Sequence, residues 1–358
     1  MRISAKYKYK TYPIASPEAV IKGDKYRFTI LTSRLIRAEY NENGEFEDRA
    51  TQTVINRTFP AVPFTVDDGD VLTIRTEHIE LTYYKRPFDE NSLFIEYIGA
   101  NSCVNAGDDG SKKWGFALTN KSNYKGTART LDKVNGACEL ENGLMSRGNV
   151  TVLDDSDTLI IAEDGWVDVR DEKYIDTYLF CYGDAKKGFD CKGCLKDFYK
   201  LTGKTPLLPR YVLGNWWSRY YAYTQEEYTD LINRFKKEDI PFSVAVIDMD
   251  WHLTEIDFKY GNGWTGYTWN DKLFPDHKEF LNFLHDEGMK VTLNLHPHGG
   301  CAAHEAAYPD MAKAMGINPD TEEAVGFDIA NPKFLENYFE HMHHPLEAEG
   351  VDFWWIDW

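Results

Sequence analysis

The residues that can do chemistry are carboxylates and imidazoles that directly follow apolar runs. Asp357 lies in VDFWWIDW, and an aromatic, apolar frame is a poor place for an idle carboxylate. Asp248 and Asp250 follow FSVAVI, and His296 follows KVTLNL. Asp357 is therefore the candidate nucleophile. Asp248 and Asp250 are candidates for ligand binding or for a partner acid, and the residues alone do not separate these two roles.

Tryptophan placement indicates the class of ligand. Eight of the ten tryptophans lie in the second half of the chain, so the ligand is expected there: Trp216, Trp217, Trp251, Trp264, Trp269, Trp354, Trp355 and Trp358. Flat aromatic faces pack against the C–H faces of sugar rings, while carboxylates accept hydrogen bonds from hydroxyl groups. Neighbouring strand residues point to opposite sides, so Trp355 shares the side of Asp357 and Trp354 does not. The pattern favours a carbohydrate as the ligand and glycoside hydrolysis, which uses two carboxyl groups, as the reaction.

The elements that must position these residues alternate between apolar runs and amphipathic helices. The four runs are predicted as strands: YVLGNWW, FSVAVIDMDW, KVTLNLHP and VDFWWIDW. Thr224 and Glu227 form a capping box for the first helix, Asp276 caps the second, and Asn331 with Pro332 begins the third. A loop-rich stretch precedes the third helix. Strands alternating with helices predict a parallel sheet covered on both faces, with the site outside the carboxyl ends of the strands.

The first half of the chain has a different period. Short alternating segments such as KYRFTILTSRLIRAEY are separated by Asp, Asn and Gly turn clusters, which is typical of an antiparallel β-sandwich. We therefore predict three parts: a β-sandwich over residues 1–185, a linker helix and connector over 186–207, and a partial (β/α)8 barrel over 208–358. A complete barrel needs about 250 residues, so about four of its strands are expected here.

Composition excludes several classes of partner. The net charge of −18 repels phosphates and anionic lipids, so neither nucleic acid nor a membrane is expected as a partner. The N-terminus lacks the continuous apolar stretch of a secretory signal, and we expect a cytoplasmic protein. The six cysteines are too sparse for a disulfide scaffold, and CKGC lacks the second pair that a zinc site requires. The sequence does not indicate an oligomeric state.

Five motifs in order resemble the catalytic domain of glycoside hydrolase family 31, the α-glucosidase and α-xylosidase family. They cover residues 206–358 and are PLLPRYVLGNWWSRYYAYTQEE, AVIDMDWH, GWTGYTWNDKLFPD, GMKVTLNLHPHGG and GVDFWWIDW. The first half resembles the N-terminal β-sandwich of that family more loosely, chiefly through GTARTLDKVNGACELENGLMSR.

The resemblance implies roles for individual residues. It makes Asp357 the catalytic nucleophile and Asp248 a ligand of sugar hydroxyls, with Trp355 lining the same subsite. It suggests Trp269 as a further sugar contact and Asp132 as a contribution from a loop of the first half. His296 is predicted on the same rim as a substrate-binding residue. No metal or organic cofactor is implied.

Other functions remain open at this point. Transglycosylation is one, and hydrolysis of another α-sugar, such as xylose, N-acetylgalactosamine or sulfoquinovose, is a second. A non-catalytic sugar-binding protein would need a fold that is stable with an open sheet edge at the fourth strand. A metal-dependent enzyme could draw on His296, His298, His304 and the run HMHH, but histidines at a helix end also interact favourably with the helix dipole.

The acid/base aspartate of the family lies on a later barrel strand, so we expect this chain to be an N-terminal fragment. The 358-residue chain by itself should then show no measurable hydrolysis of an aryl α-glycoside, because nothing protonates the leaving oxygen. Release of the aryl alcohol, followed by absorbance, measures this. Cleavage by both the parent chain and its Asp357→Asn variant would place the nucleophile elsewhere.

Overall fold

Two units make up the structure, which is a computed structural model. The first unit is Lys8–Thr205, and the second includes Pro206–Trp358. The structure describes residues 5, 8–89, 91–98, 113–115, 123–126, 128, 130–131, 133–145, 150–170, 174–184 and 188–357.

The first unit consists of short strands and one helix. In chain order they are β1 Val20–Lys22, β2 Tyr26–Ile30, β3 Leu35–Tyr40, β4 Thr65–Asp68, β5 Leu72–Arg75, β6 Ile79–Tyr83, β7 Leu93–Tyr97, β8 Lys113–Gly115, β9 Val150–Asp154, β10 Ile160–Ile161, β11 Val167–Asp168, β12 Ile175–Cys181, β13 Gly183–Asp184, β14 Gly188–Phe189 and α1 Cys191–Thr202. Two five-stranded sheets have the orders β1-β2-β3-β12-β9 and β4-β5-β6-β7-β8, and β10-β11 and β13-β14 form two small ladders. The pairs within these sheets are antiparallel, which confirms the predicted antiparallel character of the first half.

The two large sheets share one apolar core. Alternate residues of β2, β3, β5, β6 and β7 point into it, as the period of two requires. Phe28 and Leu179 from one sheet and Leu81 and Ile95 from the other are fully buried there. The alternating pattern of the sequence thus gives each sheet one apolar face.

Charged residues occupy the other face of the neighbouring strands β2, β3 and β12, and they are also buried. Arg37 donates to both carboxylate oxygens of Asp176, at 2.8 and 2.7 Å, and Arg27 binds Glu39 in the same bidentate manner at 2.6 and 2.9 Å. Arg170 adds a second guanidinium to Asp176 at 3.0 Å. Buried charges are tolerated when each has a partner and its hydrogen bonds are satisfied.

Helix α1, which the sequence places in a connecting segment, packs within the first unit. Asp190 caps it by accepting a hydrogen bond from the N–H of Gly193 at 3.0 Å. Cys194 and Leu201 are buried in a second apolar cluster of this unit, and Cys191 is exposed. Burial raises the pKa of the Cys194 thiol to about 12, so this cysteine behaves as a packing residue.

The second unit alternates strands and helices. Its elements are β15 Trp216–Trp217, α2 Gln225–Lys237, β16 Val244–Ile247, α3 His277–Asp286, β17 Lys290–Leu295, α4 Tyr308–Met315, α5 Pro332–Tyr338, a π-helix Phe339–His343, α6 His344–Glu349 and β18 Phe353–Ile356. The four strands pair in parallel in the order β15-β16-β17-β18. The capping box of Thr224 and Glu227 and the caps at Asp276 and Asn331 are confirmed. No helix in the described ranges is long and apolar enough to cross a membrane.

Three local predictions are corrected. The first strand is only Trp216–Trp217 and not the whole run YVLGNWW, and Arg210–Leu213 is a 3₁₀ turn. The loop-rich stretch contains α4. The third helix is interrupted by the π-helix, because Pro345 has no N–H with which to continue the α-helical hydrogen bonding.

The apolar core of the second unit lies on one face of the parallel sheet. Ala245, Ile247, Leu293 and Leu295 pack there against residues of the helices, among them Tyr228 of α2. The other face of the sheet carries Val244 and Val246 of β16 and, on β17 and β18, polar and aromatic side chains that lead to the carboxyl edge.

Asp155 makes the stability of the first unit depend on pH. Burial, and then the charge of Asp176, raise the pKa of the Asp155 carboxyl to about 6. The folded protein holds the Asp155 proton more tightly than the unfolded chain does. The protonated carboxyl therefore contributes to folding stability below the ordinary pKa of aspartate, and this contribution is lost as the pH rises through about 6. Between pH 4 and pH 7, we expect the free energy of unfolding of Asp155→Asn to rise by roughly 2 to 3 kcal/mol relative to that of the parent.

Urea titrations at the two pH values, read from hydrogen-exchange protection of β12, measure this difference. Asp154→Asn, an exposed neighbour, is the matched control and should leave the pH dependence unchanged. A relative stability of Asp155→Asn that does not change with pH would contradict the prediction.

Candidate active site

Three predicted site residues each follow a parallel strand directly. Asp248 follows β16, His296 follows β17 and Asp357 follows β18. The register pairs Ile247 with Leu293 and Leu295 with Ile356, so the carboxyl ends of these strands form one edge. The edge predicted from the sequence therefore exists.

The backbone of Asp357 is fixed by a hydrogen bond, whereas its side chain is partly exposed. Its N–H donates to the carbonyl of Leu295 at 2.8 Å, which extends the pairing of β18 with β17 by one residue. Its side chain is 48% exposed, and Oδ2 lies 3.8 Å from Nε2 of the buried His296. The backbone is thus fixed while the carboxylate faces a space that a ligand can enter.

Asp248 uses one carboxylate oxygen to shape its own loop. Oδ1 accepts from the N–H of Met249 at 2.8 Å and caps the short 3₁₀ turn Met249–Trp251. The buried Trp251 in this turn donates Nε1–H to the carbonyl of Asn294 at 2.8 Å, which ties the turn to β17. A crevice beside Asp248, too narrow to hold a water molecule, is lined by Tyr221, Tyr223, Tyr228, Ile247, Asp250, Trp251 and Phe274.

The two tryptophans of β18 point to opposite sides, as predicted. Trp354 packs on His343 at 4.5 Å and donates Nε1–H to Glu347 at 2.9 Å on the helix side of the sheet. Phe353 contacts Trp216 on the other side, with ring centroids 5.4 Å apart. Trp355, 37% exposed, shares that side with Asp357. Its contact with a sugar stays a prediction.

Trp269 lies in the core of the second unit. Its ring stacks on His277 at 4.7 Å and contacts Trp251 at 5.1 Å, and it is buried. This packing does not favour the predicted sugar contact, which remains untested. Asp132, the residue suggested in the first half, lies outside the described residues.

Trp264 is a site residue that sequence reasoning did not single out. Its ring meets that of His296 edge-on at 4.9 Å and is 47% exposed. Thr265 anchors it by donating to the carbonyl of His296 at 2.5 Å and accepting from the N–H of Gly299 at 3.0 Å. The sequence indicated Trp264 only as one of the eight tryptophans in the second half. The loop that brings it next to His296 has no periodic pattern from which this contact could be predicted.

The histidines do not assemble into a metal site in the part of the chain that is described. No group of three His, Cys, Asp or Glu side chains there is placed to hold an ion. His343 of the HMHH run is buried among Tyr267, Tyr338, Phe339 and Trp354, and burial lowers its pKa to about 4. This histidine is therefore neutral and lies on the helix side of the sheet.

A parallel sheet with carboxylates on its carboxyl edge and exposed tryptophans beside them defines a glycosidase-like α/β domain. Residues 205–358 match the TIM-barrel domain of glycosyl hydrolases family 31. The resemblance read from the motifs is confirmed.

Individual relatives agree with this family. The chain is 28% identical over 185 residues to an α-xylosidase of Saccharolobus solfataricus, covering 52% of this chain and 23% of that protein. It is 30% identical over 123 residues to α-glucosidase 2 of Bacillus thermoamyloliquefaciens, covering 34% of this chain and 14% of that protein. The chain thus spans less than a quarter of either relative.

Solved structures show the same fold. A family 31 α-xylosidase from Xanthomonas citri superposes with a TM-score of 0.61 at 12% identity, covering 99% of this chain and 57% of that one. A family 31 dextranase from Flavobacterium johnsoniae, complexed with glucose, superposes with a TM-score of 0.58 at 16% identity, covering 94% of this chain and 45% of that one.

The pair Asp248 and Asp250 gives a prediction that needs no substrate. Burial raises the pKa of Asp250, and the carboxylate of Asp248 raises it further. We expect Asp248→Asn to lower the pKa of Asp250 toward its ordinary value without reaching it, because only the charge is removed. A ¹³C NMR titration of the aspartate carboxyl groups measures this, with the exposed Asp271→Asn as control. A pKa of Asp250 that stays or rises would show that the two carboxylates do not interact.

Proposed function

We propose that this chain carries the nucleophile part of a retaining α-glycosidase that acts on terminal, non-reducing α-linked glycosides. The observation that carries the proposal is the half-exposed carboxylate of Asp357, directly after a parallel strand at the carboxyl edge of a family 31 domain. Catalytic side chains in such folds occupy this edge.

The reaction begins with attack of Asp357 on the anomeric carbon. As the glycosyl-aspartate ester of inverted configuration forms, the bond from the anomeric carbon to the leaving oxygen breaks, and the leaving group departs as an alcohol with a proton from the acid/base group. Water, giving a proton back to that group, later cleaves the ester with a second inversion, so the configuration is retained. His296 supports the attack from the side, because Nε2 lies 3.8 Å from Oδ2 and a small approach brings the two atoms to hydrogen-bond distance. Oδ1 of Asp357 then remains free to form the new bond.

Three neighbours are assigned to the sugar. Asp248 has one oxygen engaged with Met249 and offers the other to sugar hydroxyls. Trp264, which contacts His296, and Trp355, which shares one side of β18 with Asp357, present exposed aromatic surface, and such surface stacks on sugar rings. These contacts orient the anomeric carbon above Asp357.

The acid/base group is assigned to a part of the family domain outside these 358 residues. A retaining enzyme needs a second carboxyl group about 5 to 5.5 Å from the nucleophile. Four parallel strands are half of the eight in a TIM barrel, and the chain covers 57% and 45% of two solved family structures. We therefore treat the four-stranded sheet as the first half of a barrel and assign the activity to the protein that holds the whole barrel.

A neutral sugar suits the site better than an anionic one. Asp248 and Asp357 are carboxylates on this edge, and the chain carries a net charge of −18, so a sulfonated sugar would meet repulsion. Relatives named α-xylosidase and α-glucosidase favour xylosyl or glucosyl units. Transfer of the sugar to a second carbohydrate in place of water is the alternative outcome, and a cytoplasmic location is part of the proposal.

Asp357→Asn tests the nucleophile in the protein that holds the complete barrel. We expect kcat/KM for an aryl α-glycoside to fall by several orders of magnitude, because an amide is a far weaker nucleophile of nearly the same shape. Sugar binding by calorimetry should be largely retained. Asp352→Asn is the matched control: this aspartate precedes β18 at the opposite edge and binds Lys290 at 2.6 Å, so turnover should persist.

A 5-fluoro α-glycosyl fluoride of the preferred sugar locates the ester directly. The label should appear by mass spectrometry on the peptide that contains Asp357. Labelling of Asp248 or Asp250, or an inverted product by NMR, would overturn the proposed mechanism. Sugar binding without turnover in the complete protein would favour the non-catalytic alternative.

A further inference from the structure

Three polar side chains form a column on one face of β17. Thr292, Asn294 and His296 are spaced by two residues, so they point to the same side of the sheet. On β18 the register places Phe353 beside Thr292 and Trp355 beside Asn294. The residues between them, such as Leu293 and Leu295, point to the helix side and belong to the apolar core.

Each member of the column is buried and has a polar atom with no hydrogen-bond partner in the described structure. These atoms are Thr292 Oγ1, Asn294 Oδ1 and His296 Nδ1, and Asn294 is only 1% exposed. Burying an unpaired polar atom costs free energy, and such atoms are rare in native proteins. Valine or leucine would fill these positions at lower cost, so three in succession require an explanation other than packing.

Single waters can bridge neighbouring members of the column when the side chains lean toward each other. Backbone positions on the same face of a strand are about 6.6 Å apart. A water that hydrogen-bonds to two groups joins atoms no more than about 5.6 Å apart, at roughly 2.8 Å for each bond, so the two polar atoms must lie about 1 Å or more closer together than the backbone positions. One water can therefore bridge Thr292 and Asn294, and a second can bridge Asn294 and His296. Buried polar groups in proteins are commonly satisfied in this way.

A water in the second position could satisfy both atoms that lack partners there, by donating one hydrogen to Oδ1 of Asn294 and the other to Nδ1 of His296. A ring that accepts at Nδ1 carries its proton on Nε2 when neutral. Nε2 is the atom that faces Oδ2 of Asp357 at 3.8 Å.

We propose that Asn294 is a positioning residue: through one bridging water it keeps His296 in the tautomer whose Nε2–H faces Asp357. Thr292 completes the column by donating to the water between it and Asn294. The catalytic consequence rests on the proposed function, because Asp357 is there the nucleophile. The hydration and the tautomer do not rest on it.

The tautomer can be measured in the 358-residue chain without substrate. ¹⁵N-labelled histidine gives separate Nδ1 and Nε2 signals for each of the ten histidines, and those that vanish in His296→Gln belong to His296. At a pH where the ring is neutral, we expect the Nε2–H form to dominate in the parent. Asn294→Leu, which keeps the branched shape of the side chain and removes the acceptor, should shift the tautomer ratio by about fivefold.

Two variants control this measurement. Asn294→Ser keeps an oxygen and leaves room for another water, so it should retain the parent tautomer. Thr292→Val acts one water further away and should shift the ratio less than Asn294→Leu. An unchanged ratio in Asn294→Leu, or an equal shift in Asn294→Ser, would overturn the proposal.

A crystal structure of the parent chain tests the waters directly and does not depend on a variant folding. Density for one water between Asn294 and His296 and another between Thr292 and Asn294 would support the proposal. Protein atoms filling either position, or a hydrogen bond from Nδ1–H of His296, would refute it even if Asp357 proves to be the nucleophile. Conversely, failure of Asp357 to be labelled leaves the tautomer result intact.

Discussion

The parallel pairing of β18 with β17 is the constraint on which the site depends. The hydrogen bond from the N–H of Asp357 to the carbonyl of Leu295, at 2.8 Å, extends this pairing by one residue beyond β18, to Asp357 itself. A shift of one residue would turn Asp357 and Trp355 to the helix side and bring Trp354 out of its contact with Glu347. The register is thus fixed from both faces of the strand.

The two units solve the burial of polar groups differently. In the first, charges on the sheet are paired within the protein, as Arg37 is with Asp176 and Arg27 is with Glu39. In the second, the inner column of β17 leaves polar atoms without protein partners in the described structure. A paired network stabilises a scaffold, whereas unpaired buried groups beside a carboxylate are typical of a place where water or a ligand completes the structure.

Residues on the helix side of the second unit hold β17 and β18 in place, although they do not lie on the carboxyl edge. The π-helix Phe339–His343 brings His343 against Trp354, and Pro345 explains why an α-helix does not run through this segment. Trp251 binds the Asn294 carbonyl from the neighbouring turn. The strand that carries Asp357 is therefore held by contacts remote from the carboxylate, which leaves the carboxylate itself exposed.

The sequence alone determined the class of fold, the helix caps and the edge on which Asp248, His296 and Asp357 lie, because these follow from local periodicity and from the rule that parallel strands end together. Tertiary structure decided the rest. Trp269 and Trp264 lie in one loop with similar local sequence, yet the first is buried against His277 and the second covers His296. Strand β15 has only two residues, fewer than predicted, and the helix Tyr308–Met315 was not predicted. Such outcomes depend on contacts between residues far apart in the chain, which no local pattern contains.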